Sequence, residues 1–189
     1  MSTAQAQTAP VETGLDRLPP FHTALASILK KPQKFYADFP ERPGYKTPLV
    51  FLTVAAAFYS AVSFTYFFGG SMQLAVAVLI NAIAMPFILA SVSWAILTMS
   101  SGKVPFERIF AMYAYAFGAV MFFSWVPVVG YACEVWKAGL MACALATGFR
   151  LGWKQGLVVV AATFLVVMLF VWSVLPVLQQ LQGVAPAGV

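Results

Sequence analysis

The chain consists mainly of long apolar runs, which are separated by short breaks containing charged residues, glycine or proline. No Asp, Glu, Lys or Arg occurs between Lys46 and Lys103, and the apolar character resumes after a short charged break. A continuous apolar run of about 20 residues matches a helix that crosses the hydrocarbon core of a bilayer, whereas strands of membrane barrels alternate over about 10 residues. The pattern therefore predicts an all-α, polytopic membrane protein.

The breaks divide the apolar part of the chain into five predicted transmembrane helices. Pro86 lies inside the second helix and removes one backbone hydrogen bond, so we expect that helix to be tilted and kinked. Residues 179–189 are expected to form an external tail. The predicted helices span residues 48–68, 72–98, 109–126, 129–149 and 156–178, so that the transmembrane domain covers residues 48–178.

The residues before the first predicted span fall into two parts. Residues 1–20 are rich in Ala, Thr, Gln and Pro and are expected to form a disordered cytoplasmic tail. In residues 21–47 apolar side chains recur at helical spacing, which predicts an interfacial amphipathic segment. That segment is either a docking surface or curvature-sensitive anchor, or an interfacial lead-in that packs on the cytoplasmic ends of the spans. The candidate docking residues are Phe21, Leu25, Ile28, Phe35 and Phe39.

Basic residues flank the predicted spans on one side only. The opposite side consists of residues 69–71, the 127–128 turn and the C-terminal tail, and has no Lys or Arg. Because cytoplasmic loops carry an excess of Lys and Arg, we predict a cytoplasmic (inner) membrane protein with its N-terminus inside and its C-terminus outside. The basic flanking residues are Lys30, Lys31, Lys34, Arg42, Lys46, Lys103, Arg108, Arg150 and Lys154.

Composition supports the same class of protein. Hydrophobic residues make up 61% of the chain and charged residues 9%, against roughly 45–50% and about 25% in soluble globular domains. A water-soluble fold would leave much of this apolar surface facing solvent. The net charge of +5 follows from the one-sided basic flanks and from attraction to anionic headgroups, so it does not indicate a nucleic-acid partner.

Three polar residues inside the predicted spans are candidates for a functional site. Glu134 and Lys137 lie three residues apart, which is within pairing distance on a helix. An ionisable group in the membrane costs about 2–3 kcal/mol or more unless it is paired or hydrated. The pair is either a relay or bridge inside the bundle, or a self-neutralised pair whose lysine reaches outward beside Trp136 and Tyr131.

Asn81 precedes Pro86 in the second predicted span and is the other internal polar candidate. Its amide is expected to hydrogen-bond a neighbouring helix or to line a substrate path at the kink. Serine hydroxyls can bond the backbone of their own helix, so no role is assigned to the serines of the spans. Those serines are Ser60, Ser63, Ser91, Ser93 and Ser124.

The signatures of enzymes and cofactor proteins are missing from the sequence. His22 is the only histidine and precedes the spans, and no glycine-rich phosphate loop is present. Glu107 and Glu134 belong to opposite ends of the predicted bundle, which argues against a working carboxylate pair. We therefore predict a protein that is not an enzyme and that has no catalytic, cofactor or metal site.

Three stretches of the chain resemble one family. They are Ile28 to Tyr36, which reads I-L-K-K-P-Q-K-F-Y; Gly102 to Arg108 leading to Tyr113-Ala114-Tyr115-Ala116; and Trp136 followed by Gly139-Leu140. Together they are similar to the Yip family of integral membrane proteins, whose eukaryotic members interact with Ypt/Rab GTPases. The resemblance implies a five-span, N-inside protein. The D-L-Y-G-P motif of the eukaryotic members is absent here, so a GTPase partner is not supported.

These observations lead to two expectations about function. The first is a non-enzymatic Yip-like scaffold, assembly partner or membrane-organising component, whose partners are membrane lipids and another membrane protein or a second copy of the chain. The second is a small transporter or channel subunit that uses Asn81, Pro86, Glu134 and Lys137.

Overall fold

The computed structural model describes residues 21–67, 69–102 and 104–181. Within these ranges every regular element is an α-helix, which confirms the all-α prediction. Residues 1–20 of the predicted cytoplasmic tail and residues 182–189 of the predicted external tail lie outside the described part. The helices are α1 (Phe21–Lys30), α2 (Pro32–Ala37), α3 (Lys46–Tyr66), α4 (Met72–Ser101), α5 (Phe106–Ser124), α6 (Pro127–Gly148) and α7 (Trp153–Leu181).

Helices α3 to α7 are each long and apolar enough to cross a membrane. Each overlaps one of the five predicted spans, which confirms the polytopic architecture. Helices α4 and α7 extend past the predicted limits, to Ser101 and from Trp153. This extension is physically reasonable, because a charged or polar residue ends the apolar run but not the helix once the backbone reaches the hydrated interface.

Helix α5 is the centre of the bundle. Every residue from Ile109 to Met121 is buried, and α5 contacts α1, α3, α4 and α6. Small residues let the neighbouring helices approach closely. At Gly118 an added Cβ would lie only 2.6 Å from a ring carbon of Phe51 on α3, so that contact requires glycine.

The outer surface of the bundle is apolar. Large exposed side chains such as Val50, Ile80 and Leu169 lie on α3, α4 and α7. Such a surface is suited to contact with lipid chains. Helix α4 is continuous through Pro86, so the proline does not divide it into two helices.

Helices α1 and α2 pack against the bundle, α1 along α5 and α2 on α6. The Phe21 ring centroid lies 4.7 Å from that of Phe51 and 5.7 Å from that of Phe122. Arg108 on α5 donates a hydrogen bond from Nη2 to the Phe39 carbonyl at 3.2 Å, which fastens the chain after α2. The end of the bundle that carries the C-terminus of α1, α2 and the α4–α5 and α6–α7 connections is called the basic face below.

Candidate functional site

A polar cavity between the helices, open at the bundle surface, brings together the three polar residues that the sequence singled out. It has a volume of about 330 Å³ and is lined by Asn81 of α4 and by Glu134 and Lys137 of α6. Tyr59 and Ser124 add polar lining, and Ser124 ends α5 on the side away from the basic face. The three residues therefore share one cavity between neighbouring helices. It is called the polar cavity below.

Glu134 and Lys137 form an ion pair within α6. Lys137 Nζ lies 2.6 Å from Glu134 Oε2 and 2.7 Å from Oε1. The two side chains differ in exposure, because Lys137 is 14% exposed and Glu134 is 60% exposed. The ammonium is also 4.6 Å from the centroid of the Phe117 ring, a cation–π contact. Lys137 thus points inward to α5, whereas Trp136 and Tyr131 are exposed.

Asn81 lines the polar cavity from α4. Among the described residues its side-chain amide makes no hydrogen bond, so both of its polar ends are open to a bound group. Pro86 is buried further along α4 and is not part of the lining. Toward the basic face the cavity ends at Met85, Leu89 and Phe117. The arrangement offers a positive, a negative and an amide group to a small polar molecule.

A buried hydrogen-bond chain lies near the polar cavity. Ser93 Oγ on α4 is 2.7 Å from Tyr113 Oη on α5 and 2.8 Å from Thr163 Oγ1 on α7. Thr163 donates its own hydroxyl hydrogen to the Val159 carbonyl at 2.8 Å. Since each hydroxyl has one hydrogen, Ser93 donates to Thr163 and Tyr113 donates to Ser93. This chain connects three helices.

The expectation that the span serines can satisfy their hydroxyls on their own helix backbone is therefore wrong for two of them. Ser93 bonds across helices, and Ser60 on α3 donates to the Ala75 carbonyl on α4 at 2.7 Å. It is confirmed for Ser91 and Ser124, which donate to carbonyls four residues earlier in their own helices. Ser60 and Ser93 are buried and face neighbouring helices, whereas Ser91 is exposed.

The candidate docking residues of α1 and α2 are turned into the bundle. Ile28 and Phe39 are buried, and the other three are half-buried against the core. Phe35, for example, packs edge to face on Tyr115 of α5 with the ring centroids 5.4 Å apart. A lead-in segment would pack in this way, and the exposed side of α1 and α2 carries mainly polar and basic residues. The remaining two docking candidates, Phe21 and Leu25, pack in the same way.

Tyr36 anchors α2 against α6. Its side chain is fully buried, and its hydroxyl has no hydrogen-bond partner among the described residues. Burial raises the pKa of Tyr36 above its ordinary value, and the nearby Cys143 contributes in the same direction. The burial of Tyr36 could not be predicted from the sequence, because an aromatic residue in an amphipathic segment is equally compatible with an interfacial position.

In the ranges that the structure describes, no group of three His, Cys, Asp or Glu side chains could hold a metal ion. Cys133 and Cys143 are both buried free thiols.

A comparison with known proteins identifies one family. A family model described as the Yip1 domain matches residues 26–175. The matched range begins within α1 and ends within α7, so it includes α2 and four complete long helices. No curated protein and no solved structure matches the chain significantly.

Proposed function

The chain belongs to the Yip1 domain family, and we propose that it is a non-enzymatic scaffold, assembly partner or membrane-organising component of the cytoplasmic membrane. The observation that carries this proposal is the concentration of recognisable polar surface at the basic face. There α1 and α2 cover the bundle and present polar and basic side chains outward. The connections on the opposite face are short, since only residues 67–71 and 125–126 join the helices there.

Binding through the basic face is testable by site-specific photo-crosslinking in membranes. A photoreactive amino acid at Gln33 or Ala37, both exposed on α2, should produce a crosslink to one discrete membrane protein or to a second copy of the chain. The matched positions Val128 and Tyr131 are equally accessible but lie at the start of α6 on the opposite face. Discrete crosslinks from α6 positions alone would contradict the proposal.

A second candidate function is that of a small transporter or channel subunit. The polar cavity favours it, because the cavity places Asn81 and the Glu134–Lys137 pair around one space within the membrane-spanning part. In this conformation the apolar side chains of Met85, Leu89 and Phe117 end the cavity. A transport cycle would therefore require these helices to separate.

Flux into proteoliposomes separates the two candidates. Under the scaffold proposal the purified chain conducts and exchanges no solute. If it does, and Glu134→Ala combined with Lys137→Met abolishes the flux, the scaffold proposal fails. Val135→Ala is the matched control, because Val135 is 76% exposed on the same helix and does not line the cavity.

A further inference from the structure

The outer sides of α1 and α2 meet in a groove of about 520 Å³ on the basic face. It is distinct from the polar cavity, and its lining includes Phe35 and Phe39, which also pack against the bundle. Its polar lining comprises three lysines and the hydroxyls of Thr23 and Ser27, and its apolar lining includes Ala26 and Phe35. The lysines are Lys30, Lys31 and Lys34, and the groove is called the lysine groove below.

The charge of the lysine groove is not balanced by the protein. Asp38 is its single acidic lining residue. Within the described ranges the Glu134–Lys137 pair is the one salt bridge, so none of the three lysines is paired there. The hydroxyls of Thr23 and Ser27 likewise have no described partner and are free to donate hydrogen bonds. The lining is therefore complementary to an anionic group that accepts several hydrogen bonds.

The position of the lysine groove selects the kind of anion. Helix α3 begins to cross the membrane at Lys46, and the exposed apolar side chains Leu49 and Val50 lie in its first turns. Phe39, which lines the groove, accepts a hydrogen bond from Arg108 in the first turn of α5, and the span of α5 begins at Phe106. This end of the groove is thus beside the boundary between hydrocarbon and water. A soluble anion has no apolar groups that could contact Ala26 and Phe35. A phospholipid places both its phosphate and its first acyl carbons at the boundary between hydrocarbon and water.

We propose that the lysine groove binds the headgroup of an anionic phospholipid. The ammonium groups of the lysines and the hydroxyls of Thr23 and Ser27 contact the phosphate and glycerol oxygens. Ala26 and Phe35 contact the adjoining acyl carbons. This site does not depend on the scaffold proposal, because lipid binding and capture of a protein partner are measured separately.

Native mass spectrometry of the purified full chain tests the proposal. The protein is released from bilayers of equal amounts of phosphatidylcholine and phosphatidylglycerol. We expect one tightly retained phosphatidylglycerol on the native chain and none on the Lys30→Gln/Lys31→Gln/Lys34→Gln variant. Since each lysine near a membrane surface contributes about fivefold in affinity for anionic lipid, the combined loss is on the order of 100-fold.

Two variants distinguish specific lipid binding in the lysine groove from non-specific attraction of anionic lipid to basic residues. Arg42→Gln/Lys46→Gln/Lys154→Gln removes the same charge from exposed positions near the basic face but outside the lysine groove, and should retain the lipid. Replacement of the three groove lysines by arginine should also retain it, which shows that the groove still folds. Loss of the lipid in the Arg42 control variant would overturn the proposal, as would equal retention of phosphatidylcholine.

A soluble competitor distinguishes a lipid site from a phosphate site. Glycerol phosphate carries the same headgroup chemistry without acyl chains. We expect it to leave the retained phosphatidylglycerol in place at concentrations equal to that of the lipid. Displacement at equal concentration would assign the groove to a free phosphate compound instead and contradict the lipid proposal.

Discussion

Lys137 shows how the bundle accommodates a charged residue. The three-residue spacing from Glu134 predicted an ion pair, and the pair is present. The direction of the lysine could not be predicted, because its inner contact, Phe117, lies on another helix. Nor could the spacing show that Asn81 of α4 lines the same cavity. The spacing of residues within one helix is enough to predict a local ion pair. A cavity cannot be predicted in this way, because it depends on how several helices pack.

Removal of one partner of the pair should cost more than removal of both. Glu134→Gln leaves the mostly buried Lys137 ammonium alone, at a cost of about 2–3 kcal/mol in the free energy of unfolding. Lys137→Met leaves the more exposed Glu134 carboxylate alone, at a smaller cost. The combined variant has neither charge and should recover most of that loss. Denaturation in mixed detergent micelles measures the four proteins. Strictly additive losses would show that the two side chains do not stabilise each other.

Tyr36→Phe should leave the protein at neutral pH as stable as the native chain, or more stable by about 1–2 kcal/mol. The buried hydroxyl of Tyr36 has no described partner, so its removal relieves a desolvation cost. The exposed Tyr131→Phe is the control. A loss of stability in Tyr36→Phe at neutral pH would mean that the hydroxyl makes a stabilising hydrogen bond.

The same residue predicts a dependence on alkaline pH. Burial raises the pKa of Tyr36, so above about pH 10 the unfolded chain loses a proton that the folded chain keeps. The contribution of Tyr36 to stability is therefore complete below that pH and declines above it. Thermal denaturation on either side of pH 10 should show a smaller decline in Tyr36→Phe than in the native chain. An equal decline in both proteins would contradict this assignment.

At the scale of helices, the continuous apolar runs predicted the spans but not their arrangement. All five runs are apolar, and a run that contacts lipid looks much like one that contacts protein. Residue size adds some information, since buried α5 places four alanines and Gly118 between its aromatic residues, while α7 exposes large side chains such as Phe170 and Trp172. The same ambiguity applies to α1 and α2, whose apolar side contacts the bundle.

Gly156→Ala should separate α6 from α7. An added Cβ would lie 2.9 Å from the Ala142 carbonyl oxygen, which belongs to the backbone and cannot rotate away. We expect a loss of about 1–3 kcal/mol in the free energy of unfolding. Gly139→Ala on α6 is the matched control, because no atom lies within 4 Å of its added Cβ. That variant should be neutral or more stable, since Ala favours helix. Equal effects at both sites would contradict close packing of α6 on α7.

Ser93→Ala should weaken the contact of α4 with α5 and α7. It leaves the buried hydroxyl of Tyr113 without an acceptor, which costs about 1–3 kcal/mol. Ser91→Ala removes an exposed hydroxyl that bonds only its own helix, so its effect should be small. The free energies of unfolding of the two variants provide the comparison. If Ser91→Ala were as damaging as Ser93→Ala, the hydrogen-bond chain would not be what stabilises these helices.

At the scale of the whole molecule, the sequence was most informative about the class of protein. Backbone polar groups must be satisfied inside lipid, so long apolar runs leave few alternatives to a helical bundle. The resemblance to the Yip family agrees with the Yip1 domain match over residues 26–175. The identity of a binding partner cannot be predicted from the apolar runs, because recognition depends on groups that belong to another molecule. The orientation follows from the one-sided basic residues and stays a prediction.

The most direct test of the account is the topology of the chain in a bacterial cytoplasmic membrane. Alkaline phosphatase, which is active only outside the cytoplasm, is fused after Arg150 in the α6–α7 connection and, in a second protein, after Val189. With five spans and the basic face inside, the first fusion should be inactive and the second active. Green fluorescent protein at the same positions should give the reverse. Activity of the same reporter at both positions would contradict the five-span arrangement.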